Sequence, residues 1–169
     1  MTDSVKQWLA AVPWDSVLTI NKALCQVQKT EPLTNPKALE KAQRLWEKAV
    51  PSSLPLIDAF DVCREAHELS AFLFNNGNTF AAVGHTVVER QLRSLPPLEA
   101  QILRTTIGHY ICGLIGRREL QQVLRHLDPL FKSEPAAAPV PVPPEPAHQS
   151  QAASPPASVP LGLPREQRA

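Results

Sequence analysis

No stretch of this sequence is long and apolar enough to cross a bilayer. The longest weakly polar run, Thr105–Gly116, is short and is interrupted by His109, whereas a spanning helix needs about 20 predominantly apolar residues. The first residues, Met1-Thr-Asp-Ser-Val-Lys, lack the basic start and apolar run of a secretory signal. Cysteine is scarce and odd in number. Cys25, Cys63 and Cys112 are far apart and sit among apolar residues, which points to reduced, buried thiols in a cytoplasmic protein and away from a disulfide framework. Net charge is almost absent, at +1. Its distribution is uneven: residues 1–70 carry eight Lys/Arg against nine Asp/Glu, and residues 71–132 carry seven against four, six of the seven being arginine. That bias is mild and falls well short of a nucleic-acid stripe.

Catalytic signatures are missing too. There is no Gly-x-Ser-x-Gly elbow, phosphate loop, dinucleotide fingerprint or His-Glu-x-x-His. Gly108, Gly113 and Gly116 fall inside an apolar helical pattern with no strand before them, so they form no phosphate cradle. With no recognisable grouping of nucleophile, base and orienting residue, the chain is expected not to be an enzyme and to need no cofactor.

What is plentiful is proline, and its placement divides the chain. Eight of the 18 prolines lie in residues 1–132 and ten in the 37 residues that follow. Before that boundary, apolar residues recur at helical spacing between breaks. Val5, Trp8, Leu9 and Val12 predict a helix over residues 4–12, capped by Asp3 or Ser4 and ended by Pro13. Asp15 caps a second, over which Val17, Ile20, Leu24 and Val27 form a stripe. Asn35-Pro36 is the clearest start, since the asparagine side chain can accept from a free helix N–H and proline at the first helical position has no N–H to lose. Ser53 and Pro55 open a fourth helix whose stripe of Leu56, Phe60, Cys63, His67, Ser70 and Phe74 predicts about five turns. Asn75-Asn-Gly-Asn breaks the pattern; Thr79 caps the next helix, with a β-hairpin across the break as the lesser alternative. Pro97 begins a sixth, on which Leu103, Ile107, Tyr110 and Leu114 run down one side. Leu120, Val123, Leu124, Leu127 and Phe131 mark the last and most regular helix. The expected fold is all-α, a compact bundle of six to seven helices over residues 1–132.

From residue 133 the periodicity stops. Pro135-Ala-Ala-Ala-Pro-Val-Pro-Val-Pro-Pro-Glu-Pro favours polyproline II, and so little apolar area does not offset the entropy of ordering the chain. Residues 133–169 are therefore expected to be a disordered Pro/Ala-rich tail. Fully extended, residues 135–146 would reach about 37 Å, enough to hold a terminal linear motif away from the domain.

Three groups of residues could carry function. Cys63 with His67, and His109 with Cys112, place two N/S pairs on helix faces; convergence of all four would make a tetrahedral zinc site, although close ligand pairs usually flank a tight loop. Arg90, Arg93, Arg104, Arg117, Arg118 and Arg125 could form a basic face, and arginine's fixed fork suits phosphate. Gly108, Cys112 and Gly116 recur every fourth residue and would let another helix approach closely. Trp8 and Trp46 fall in apolar stripes and are expected in the core, and Trp14, between helices, is expected to be partly exposed.

The segments Trp14-Asp to Trp46, and Ile102-Leu-Arg-x-x-Ile to Leu114-Ile, resemble helical segments of the coat proteins of rod-shaped plant viruses, some of which carry proline- and alanine-rich tails. The resemblance covers about half the domain, and the paired arginine and aromatic features near that family's C-terminal end are absent. It implies a subunit that coats nucleic acid.

The reading that follows is a non-enzymatic helical interaction module, an adaptor or assembly subunit. It would bind a protein partner or itself through the small-residue ridge rimmed by Arg117, Arg118 and Arg125. A nucleic-acid-binding subunit using Arg90–Arg125 is the alternative, and a small zinc protein the second alternative. Because the periodic pattern ends at Lys132, a chain cut there is expected to keep the far-UV circular dichroism amplitude and cooperative melting of the full chain.

Overall fold

Proline and asparagine set most of the helix starts seen in the structure. This computed structural model describes residues 5–132, with side chains to residue 130; the expected tail, 133–169, lies outside the described residues. A 3-10 turn at Trp8–Ala11 leads into seven α-helices: α1 Trp14–Val27, α2 Pro36–Ala49, α3 Leu56–Glu68, α4 Asn76–Val87, α5 Glu89–Ser94, α6 Pro97–Ile111 and α7 Arg117–Lys132. No strand occurs among the described residues, and the all-α bundle expected from periodicity is what the chain forms.

The Asn35-Pro36 start is where the sequence places it. The Asn35 side chain accepts from the Ala38 N–H at 3.3 Å. Pro97 likewise occupies the first position of α6. Other ends differ from expectation, and α3 starts at Leu56 behind an extended Pro55, without the expected Ser53 cap. Of the helix expected over 4–12, the described residues 5–12 make only the 3-10 turn, because the Lys6 and Leu54 backbones pair in an isolated antiparallel bridge. α1 starts at Trp14, one residue before the predicted Asp15 cap, with Pro13 in extended geometry ahead of it. α4 starts at Asn76, behind a left-handed Asn75 (φ 59°), so Thr79 is not a cap but a fully buried residue inside the helix.

The largest departure is α3, which stops at Glu68 instead of running to Phe74. Ser70 takes a left-handed φ of 55°, and the backbone beyond it finds partners elsewhere. The Asn35 N–H donates to the Ala71 carbonyl at 3.0 Å and the Leu73 N–H to the Leu33 carbonyl at 3.0 Å, around an isolated Thr34–Phe72 bridge. Asn76 holds the turn. Its amide nitrogen donates to the His67 carbonyl at 2.7 Å and its oxygen accepts from the Phe72 N–H at 3.2 Å. Local apolar spacing favoured a longer helix, but a shorter one lets Phe72 turn into the core.

Four aromatic rings form the centre. Trp14 stacks on Phe72 at 6.5 Å, Trp46 lies 6.3 Å from both Trp14 and Phe80, and Phe72 lies 5.9 Å from Phe80. Offset and tilted arrangements at these separations suit the ring quadrupoles. The buried indole of Trp46 donates to the Val12 carbonyl at 2.8 Å, which satisfies its only polar atom. Trp8 and Trp46 are buried as expected; Trp14 is buried as well, at 6% exposure, because stacking on Phe72 removes it from solvent.

α4 runs through the middle, packed against α1, α3 and α6. The residues that permit this close approach are small. A Cβ on Gly84 would lie 2.7 Å from Ile111 Cδ1 and 2.8 Å from Ile107 Cγ2, and one on Gly77 would lie 3.1 Å from Cys112 Sγ. Gly84→Ala is therefore expected to destabilise the fold by about 1–3 kcal/mol through overpacking, against a helix-propensity gain of at most about 1 kcal/mol. In Gly108→Ala the new methyl would meet Ala81 at an ordinary 3.8 Å, so the propensity term dominates and stability should rise. Urea denaturation of the two variants, read as opposite shifts in midpoint, checks the contrast.

Candidate interaction surface

α6 buries Ala100, Leu103, Ile107, Tyr110 and Ile111 and turns the rest of its circumference outward. Expectation put Leu114 on one side with Leu103, Ile107 and Tyr110. Leu114 is instead 71% exposed and Ile102 43%, and Leu98, one turn before Ile102, is 68% exposed. Leu114 is exposed because α6 ends at Ile111 and Gly113 reverses the chain with φ 75°, carrying Leu114 off the helix, whereas Leu98 and Ile102 lie on the side of α6 away from its buried residues. The outer face thus holds Leu98, Ile102, Thr105 and His109 at a one-turn repeat with no Lys, Arg, Asp or Glu in the line. Among the described residues, α2 and α7 present mostly charged and polar outer faces.

Beside this face an open groove of about 370 Å³ runs between α6 and α4. Asn78, Ala81 and His85 line it from α4, and Gln101, Arg104 and His109 are among its lining residues from α6. The His85 Nε2–H donates to the Arg104 carbonyl at 2.9 Å, which fixes the ring. Burial lowers the pKa of His85, so the ring stays neutral to lower pH than a solvent-exposed imidazole. The lining contains no carboxylate, and Arg104 has no ion pair among the described residues.

The predicted small-residue ridge does not form. Gly108 lies on α6, Cys112 caps its end and Gly116 precedes α7, so the three do not share one helix face. Close approach between α4 and α6 comes instead from Gly77, Ala81 and Gly84 on α4, with Gly108 opposite. The proposed zinc ligands do not converge either. Cys63 is fully buried, His109 is exposed on α6, and the His67 Nδ1 accepts from the Asn76 amide at 2.8 Å. Among the described residues no group of three or more His, Cys, Asp and Glu is placed to hold a metal ion. Burial pushes the Cys63 thiol up to about 12 and raises that of Cys112, so both stay protonated at neutral pH, the form least suited to ligation or attack.

The arginines divide in two. Arg90, Arg118 and Arg125 are exposed and, among the described residues, carry no ion pair; Arg93 pairs with Glu89 one turn away on α5. Arg117 is committed elsewhere. As the first residue of α7 it bridges Asp58 and Asp61 of α3. The Tyr110 hydroxyl donates to the same Asp61 carboxylate, and the Arg64 guanidinium lies 5.2 Å from the Tyr110 ring while donating to the Ile115 carbonyl at 3.4 Å. Together these contacts strap the α6–α7 corner onto α3.

No protein-family model, curated protein or solved structure matches this chain. The resemblance to rod-shaped virus coat proteins finds no counterpart among them. No helix of the described residues is long and apolar enough to cross a membrane.

Sequence reasoning passed over the α3 carboxylates. Asp58 and Asp61, with Arg64, repeat every third residue beside the apolar stripe of the helix, a visible hint of a polar edge. Their partner Arg117 is 56 residues from Asp61 and nothing local indicates it. The strap has a clean reporter, because Tyr110 is the protein's single tyrosine. Burial first, and then the hydrogen bond and charge of Asp61, push its phenol up to about 12, against about 10 in an unfolded chain. A raised pKa means the neutral phenol is favoured in the folded state. Its stabilisation is complete below pH about 10 and is lost as pH climbs toward about 12. Tyrosinate absorbance should titrate near 12 while circular dichroism still reports helix. Asp61→Asn should lower that midpoint without returning it to the unfolded value, because burial persists.

Proposed function

We propose that this chain is a non-enzymatic helical interaction module, an adaptor or assembly subunit, that engages a protein partner through the outer face of α6. The observation that carries the reading is the exposure of Leu98 and Ile102 at 68% and 43% on a face with no charge along its central line, with Leu114, 71% exposed, just beyond the end of the helix. Single exposed apolar residues are ordinary, but an aligned set beside a groove is the usual character of a contact surface. The protonated thiols of Cys63 and Cys112 and the complete hydrogen bonding of buried side-chain N and O atoms among the described residues accord with a scaffold.

Exposed Arg90, Arg118 and Arg125 support a second reading, a subunit that binds nucleic acid, with arginine as the phosphate contact. The two readings predict different behaviour. A double variant, Leu98→Asp with Ile102→Asp, should fold normally, since both side chains face solvent. It should lose at least about tenfold in affinity for a protein captured from the native source after nuclease treatment, a loss of about 1.4 kcal/mol. Capture unchanged by that variant, but abolished by Arg90/Arg118/Arg125→Ala and falling steeply with added salt, would replace the first reading with the second.

A further inference from the structure

The α4–α6 groove and the α6 face beside it differ in chemistry, and the difference specifies a partner. The face supplies apolar contact at Leu98 and Ile102, and Leu114 supplies it at the far end. The groove supplies Arg104, whose guanidinium has no ion pair among the described residues, together with the imidazoles of His85 and His109, and it contains no carboxylate. Its sides are held rigidly: α4 and α6 meet through Gly84, Gly108 and Ala81, and His85 is fixed by the Arg104 carbonyl. From Leu98 to His109 the helix rises about 16 Å at 1.5 Å per residue, the length of a partner helix of about three turns.

We infer that this groove takes an acidic, amphipathic segment of a partner protein, with a carboxylate on Arg104 and apolar side chains on Leu114 and, at the rim, Leu98. The inference rests on the interaction-module reading above and adds the chemistry of the partner. Charge complementarity selects the occupant. A basic segment would bring a second positive charge against Arg104 with no carboxylate in the groove to receive it. A nucleic acid would leave the apolar face unmatched and would find one arginine where a run of phosphates needs several. A carboxylate on arginine forms a charge-assisted, bidentate contact, and amphipathic helices dock in grooves by apolar anchors at one-turn spacing.

The experiment is a titration of the ¹⁵N-labelled full chain, followed by backbone amide shifts, with three synthetic twelve-residue amphipathic peptides. The peptides share the same leucine positions and carry Glu, Gln or Lys on the polar face. The Glu peptide is expected to shift amides within 78–85 and 101–114 and to bind at least about tenfold more tightly than the Lys peptide. Arg104→Glu should reverse that order, and Arg104→Gln should level it. Arg104 is exposed, so neither variant should disturb the fold. Equal binding of the Gln and Glu peptides at this groove would overturn the acidic preference while leaving α6 as an interaction face. Shifts confined to the surroundings of Arg118 and Arg125, or none on α6 with any peptide, would overturn the groove assignment; the Leu98/Ile102 capture experiment then judges the interaction reading separately. Shifts at 98–114 that depend on protein concentration alone would assign the groove to a second copy of the chain.

Discussion

The structure depends on how little room α4 has. It lies against α1, α3 and α6 at once, and its sequence, Asn-Gly-Asn-Thr-Phe-Ala-Ala-Val-Gly-His-Thr-Val, contains no Lys, Arg, Asp or Glu. A charged side chain on its buried line of Thr79, Phe80, Val83, Gly84 and Val87 would lose its water, which costs several kcal/mol without a partner. A larger one at Gly84 would collide with Ile107 and Ile111. The one large residue it places at the centre, Phe80, is fully buried and closes the aromatic cluster with Trp46 and Phe72. A thin central helix lets the outer helices converge, and the amphipathic helices α2 and α7 complete the shell with their charged faces outward.

This arrangement explains why α6 is only half covered. α4 and α3 take one side of it and α7 packs along another, while the strap of Arg64, Asp58, Asp61, Tyr110 and Arg117 fixes the corner where α6 passes into α7. The outward side is left with Leu98, Ile102 and the groove. The strap also changes the meaning of the arginine count. Arg117 works inside the molecule, and the positive side chains left for a partner are fewer than the sequence total suggests.

The parts of the fold legible in the sequence were those decided within a few residues. Asn35-Pro36 opens α2 because cap and proline act over one turn, Pro97 opens α6 for the same reason, and the Leu120, Leu124 and Leu127 stripe of α7 is buried as its spacing implies. What was not legible was decided across the chain. α3 stops at Glu68 because residues 71–73 bond to residues 33–35. Trp14 is buried because Phe72, fifty-eight positions later, stacks on it. The metal candidates satisfied helical spacing on each helix, yet spacing is silent about rotation between helices, and rotation puts His109 outside and Cys63 inside. The candidate face was half legible. Apolar residues occur around the whole of α6, so some had to be exposed, but which ones depended on the side that α3, α4 and α7 cover and, for Leu114, on where the helix ended.

One small polar contact in the core has a wider effect. The amide of Asn21, on α1, donates at 3.0 Å both to Thr79 Oγ1 on α4 and to the Phe74 carbonyl just before that helix, and both Asn21 and Thr79 are buried. Apolar surfaces are tolerant of sliding, since one methyl replaces another with little loss. A hydrogen-bonded pair is not, because shifting α1 by a turn would strand both groups among hydrocarbon. The Asn21–Thr79 contact therefore acts as an index mark along the α1–α4 interface. It holds in one alignment two helices whose remaining contacts would accept several.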